Sequence, residues 1–138
     1  MTVVLGYDES PGADQALRVA IDVASRFGEP LILVYGVAPP GGIGEEFGAH
    51  RDALVELGTR VTSPALEIAR AAGVDARVEL VQARPAEALL GVADECNATV
   101  IVVGTSGESP VKSAMLGSTP HKLLQLSTRP ILCVPPGA

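Results

Sequence analysis

The chain has 138 residues, enough to bury a proper core in a single domain spanning 1–138. An apolar fraction of 47% excludes a largely disordered chain, and a formal charge of −6 argues against a general nucleic-acid or membrane-surface binder. Cys96 and Cys133 form no C-x-x-C pair, no apolar run approaches membrane-spanning length, and no basic leader precedes an apolar segment. A reduced, cytoplasmic setting with buried thiols is therefore expected.

Val3-Val4-Leu5-Gly6 reads as a short buried strand ending at Tyr7-Asp8-Glu9-Ser10-Pro11. Ser10 suits a helix N-cap and Pro11 the first helical position. Ala13, Ala16, Leu17, Ala20, Ala24 and Phe27 follow at helical spacing, and Gly28 is a natural stop. Leu31 to Val37 is a second apolar strand. The stretch from Ala38 to Ala49, rich in proline and glycine, reads as a long loop.

Leu54, Leu57, Val61, Ala65, Ile68 and Ala72 mark a second helix ended by Gly73. Pro64 lies within it and predicts a kink or a restart. Ala76 to Gln82 alternates, as a half-exposed edge strand does. A third helix starts at Pro85, with Ala86, Leu89, Leu90 and Ala93 as its stripe. The β-branched run Thr99 to Val103 is a strand buried on both faces. Ser118 or Thr119 is expected to cap a fourth helix carrying Leu123, Leu124 and Leu126. Pro130 leads into a last strand, Ile131 to Val134.

The order β-α-β-α-β-α-β-α-β predicts an α/β fold: one doubly wound, five-stranded parallel sheet with helices on both faces and strand order 3-2-1-4-5. Strands one and four then lie side by side where the winding reverses. Ligands of such sheets bind there, beyond the carboxyl ends of the strands. The turn at Asp8 follows strand one. Gly104-Thr105-Ser106-Gly107 follows strand four, and Gly117-Ser118-Thr119 comes nine residues later. Glycines let backbone N–H groups approach a ligand, and a helix start offers unpaired donors with partial positive charge. Together they make an anion cradle suited to phosphates. A glycine turn followed by an ordinary N-cap reads equally well from the spacing alone. Asp8 suits a ribose hydroxyl or an adenine amine, or it serves helix one through the dipole.

With these residues in view, the sequence resembles the universal stress protein family over nearly its whole length. The family motif G-x2-G-x9-G-[ST] is met by Gly104, Gly107, Gly117 and Ser118, and the Asp8/Ser10 pair, Pro85-Ala86 and Pro130 before the last strand also match. The resemblance implies an adenine nucleotide alpha hydrolase-like domain that binds ATP or another adenine nucleotide, with or without Mg²⁺. Carried over by position, Gly104, Ser106, Gly107, Gly117, Ser118 and Thr119 would line the phosphates. Asp8 would meet the adenosine, Ser10 would belong to the same nucleotide-binding set, and Gly6, Gly36, Val37 and Val103 would border the base or ribose. It further implies a regulatory stress-response homodimer joined through Ile131–Val134.

Glu108 and Pro110 depart from the small and basic residues usual in that loop, where Lys112 keeps one positive charge. His121 reads as a surface or capping residue. No P-loop, no nucleophile with its base, no residue set for catalysis and no metal cage stands out. Two alternatives stay open: a weak ATPase, and a family member acting only through protein contacts. A phosphoacceptor receiver is discarded, because strand three ends in Val81-Gln82-Ala83-Arg84 without an acceptor aspartate.

Overall fold

The computed structural model describes residues 1–8, 10–36, 45–105 and 116–137. Five strands are joined by four helices: β1 (Thr2–Gly6), α1 (Pro11–Phe27), β2 (Leu31–Gly36), α2 (Glu45–Ala71), β3 (Ala76–Val81), α3 (Pro85–Cys96), β4 (Ala98–Gly104), α4 (Ser118–Leu126) and β5 (Ile131–Val134). The sheet order is β3-β2-β1-β4-β5 and every pairing is parallel, as expected.

Parallel strands covered on both faces leave no polar side, so their sequences read as unbroken apolar runs. Val3, Val4 and Leu5 are each 0% exposed. Alternation divides the core into two layers. Val3, Leu5, Leu31, Leu33 and Val102 pack under α1 and α2. Val4, Ile32, Val34, Ile101 and Val103 pack under α3 and α4.

Helix α1 starts and stops where its punctuation says. Ser10 is the N-cap and its hydroxyl accepts the Ala13 N–H, while Gly28 closes the helix at φ 66°. Phe27, expected in the buried stripe, is exposed.

Helix α2 departs from expectation three times. It begins at Glu45, so the expected loop is shorter than Ala38–Ala49. Gly48 does not end it, because one glycine costs only ~1 kcal/mol against good helix formers on both sides. Second, the helix runs unbroken through Pro64. Around it, the Thr62 hydroxyl donates to the Gly58 carbonyl at 2.8 Å and Ser63 Oγ to the Thr59 carbonyl at 2.7 Å. Third, its sheet-facing residues include Gly58, Thr62, Ala65 and Ala69, whereas Leu57 and Ile68 are exposed. Small residues let the helix lie close: a Cβ on Gly58 would stand 2.9 Å from Leu80 Cδ2.

Helix α4 likewise buries Leu123 but leaves Leu124 and Leu126 exposed. Its N-cap is Gly117 rather than Ser118 or Thr119, which fall in the first turn. No helix among the described residues is long and apolar enough to cross a membrane.

Candidate functional site

A cavity of about 300 Å³ opens at the carboxyl ends of β1 and β4, where the winding reverses. That volume is at the lower end of small-molecule sites. Gly6, Asp8 and Ser10 line it from the end of β1 and the start of α1. Val103 and Gly104 line it from β4, and Gly36 from β2. Gly117, Ser118 and Thr119 close it from the start of α4. Val37, Ser106, Gly107, Glu108, Pro110 and Lys112 lie outside the described residues.

The sequence did not flag Val34, Pro85, Leu89 or Pro120 as lining, yet all four contribute. None carries a polar side chain, and Pro85 enters the resemblance only as the start of helix three. Pro85 and Leu89, four residues apart on one face of α3, supply apolar wall where that helix overhangs the strand ends. The spacing from a helix-starting proline to the next buried leucine was the available signal.

Glycines at the strand ends serve packing. A Cβ on Gly36 would stand 3.0 Å from Pro85 Cα, and one on Gly104 would stand 3.0 Å from the Gly12 carbonyl oxygen. Gly6 makes room for Leu89, whose Cδ1 would be 2.9 Å away. Gly117 differs. At φ −62° and ψ 166° its backbone suits any residue, and its N–H donates to the Thr105 carbonyl at 2.8 Å. That bond pins the start of α4 to the end of β4.

The first turn of α4 leaves the Ser118 and Thr119 amides without intrahelical acceptors. Pro120 has no N–H to offer, and the His121 N–H is already bonded to the Gly117 carbonyl. Two amides and two hydroxyls at a helix N-terminus suit one phosphate group. Asp8 is the sole charged side chain among the described lining residues. Its Oδ1 accepts from Ser10 Oγ at 2.6 Å and from the Ser10 N–H at 3.1 Å. The carboxylate thus braces the start of α1 and also lines the cavity. Among the described residues, no group of three or more His, Cys, Asp or Glu side chains is placed to hold a metal ion.

An apolar wall, an acceptor carboxylate and a helix start with free donors fit a nucleoside carrying phosphate. The sequence model of the Universal stress protein family matches residues 1–135. A universal stress protein of Thermus aquaticus is 36% identical over 137 residues, 96% of this chain and 97% of that protein. A solved universal stress protein in complex with cAMP is 28% identical, with a TM-score of 0.78 over 99% of this chain and 98% of that one. A universal stress protein from Archaeoglobus fulgidus is 26% identical, with a TM-score of 0.75 over 97% and 98%. With the strand order, the glycine and serine positions and these likenesses in agreement, the chain belongs to the universal stress protein family.

Proposed function

We propose that the protein binds an adenine nucleotide in the cavity between β1 and β4, as a nucleotide-responsive regulator within a stress response. The observation that carries this reading is the convergence of Asp8, Gly104 and the α4 first turn on one cavity. The relative solved with cAMP supports it. In this reading Ser118 and Thr119 hold a phosphate through backbone N–H and hydroxyl groups. Asp8 accepts from a ribose hydroxyl or the adenine amine, and Val34, Val103 and Leu89 meet the base. ATP remains the nucleotide proposed, alongside cyclic AMP, and Mg²⁺ would accompany the longer phosphate chain through its oxygens. Hydrolysis is expected to be slow, because no pair of groups to position water and stabilise the transition state can be named.

The 138 residues are proposed to act as one cytoplasmic domain that pairs with a second copy. Support for pairing comes from β5, an edge strand of four residues on which Leu132 is 36% exposed. An edge strand with unpaired backbone groups and an apolar side chain invites a partner.

The test is calorimetric titration with cyclic AMP and with ATP plus Mg²⁺, on the protein and on Gly117→Val. Valine fits the backbone at that position, so the variant tests the space beside the α4 amides. Binding to the first protein and loss in the second is the expected result. Failure of the folded, nucleotide-free protein to bind either ligand would favour a member that acts through protein contacts alone.

A further inference from the structure

Ser10 lines the cavity, but its hydroxyl is already committed. It is 6% exposed, and Oγ accepts the Ala13 N–H at 3.2 Å while donating to Asp8 Oδ1 at 2.6 Å. The Ser10 N–H adds a second donor to the same Asp8 oxygen at 3.1 Å. The result is a chain from backbone amide to hydroxyl to carboxylate, in which each hydrogen bond polarises the next. An O–H donor to a carboxylate at this distance is a charge-assisted bond, among the stronger kinds in proteins.

The residue before Asp8 is anchored as well. The Tyr7 N–H donates to the Val34 carbonyl at 3.0 Å, and its hydroxyl donates to Asp14 Oδ1 at 3.2 Å. With the backbone held on this side, the orientation of the Asp8 carboxylate depends on Ser10. Asp8 itself is exposed at the cavity. With Oδ1 held, Oδ2 remains for a ligand. A carboxylate oxygen only accepts, so it selects a hydroxyl or amine and opposes a phosphate.

We propose that Ser10 is a positioning residue: it makes no direct contact with the nucleotide and acts by fixing the Asp8 carboxylate for a donor group on the nucleoside. This rests on the nucleotide-binding reading above.

The test is a double-mutant cycle on cyclic AMP affinity, measured by calorimetry on the full chain, Ser10→Ala, Asp8→Ala and the double variant. Ser10→Ala is expected to weaken binding about 5- to 10-fold when Asp8 is present. It should change affinity less than about twofold when residue 8 is alanine. Ser10→Thr, which keeps the hydroxyl, should restore affinity to within about twofold. Ser10→Gly repeats the cycle with a helix cap nearly as good as serine, should the alanine variant unfold. Equal losses in both Asp8 backgrounds would overturn the proposal alone, marking a direct contact or a general distortion. No binding by the folded parent protein would overturn the nucleotide reading, and this proposal with it.

Discussion

The carbonyl oxygen of Gly12 stands 3.0 Å from the point a Cβ on Gly104 would occupy. The first turn of α1 therefore lies directly against the end of β4, beside the cavity that Gly104 lines. Both partners are backbone, so neither yields by a change of rotamer. Gly104→Ala is predicted to destabilise the fold by about 1–3 kcal/mol, as overpacking does at a tight contact. Urea denaturation measures this, and a loss below about 0.5 kcal/mol would mean that the contact is loose.

Pro64 sits exposed in the interior of α2 and withholds the N–H that an unbroken helix would aim at the Arg60 carbonyl. The hydroxyls of Thr62 and Ser63 bond to the Gly58 and Thr59 carbonyls, not to that of Arg60. Pro64→Ala is accordingly predicted to stabilise the protein, by about 1–3 kcal/mol. Thermal and urea unfolding should both shift upward. An unchanged or lowered midpoint would show that proline contributes through the unfolded chain or through packing not captured by the helix argument.

These two sites mark what sequence reasoning could and could not see. The runs at Val3–Leu5 and Ile101–Val103 were legible because burial on both faces demands continuous apolar residues. Ser10-Pro11 and Gly28 marked α1 because each satisfies a specific backbone requirement at a helix end. The buried face of α2 was misread because Gly58 and Thr62 are not hydrophobic: one allows close approach, and the other satisfies its hydroxyl within the helix. Leu57, Ile68, Leu124 and Leu126 misled in the opposite sense, since hydrophobicity alone does not distinguish core from surface. In the site, Asp8 and Ser118 announced themselves by their chemistry. Leu89 and Pro85 did not, because an apolar cavity wall has the same composition as a core.

Cys96 and Cys133 are half-buried rather than buried as expected, and this partial burial raises the pKa of both thiols above the ordinary cysteine value. The folded state thus holds its thiol protons to higher pH than the unfolded chain. Their contribution is fully present below the unfolded cysteine pKa and is lost as pH rises through the folded one. Alkylation of the native protein just below the ordinary cysteine pKa should be slower than in urea, with the gap narrowing as pH increases. Equal rates in the two states across that range would contradict the partial burial of these thiols.

For the proposed pairing through β5, Leu132→Asp places a charge on the edge strand. Light scattering at micromolar concentration should report a dimer for the parent protein and a monomer for the variant. A parent monomer would remove β5 as a partner surface, and a dimer unaffected by the substitution would place the interface elsewhere.

The measurement that bears most directly on the site is amide chemical-shift mapping by NMR as cyclic AMP is added to labelled protein. Shifts are predicted at Asp8, Gly104, Ser118 and Thr119, around the mouth of the cavity, with the outer face of α2 at Leu57 and Ile68 unmoved. Shifts centred on α2 or β5, or none at saturating ligand, would contradict an adenine-nucleotide site between β1 and β4.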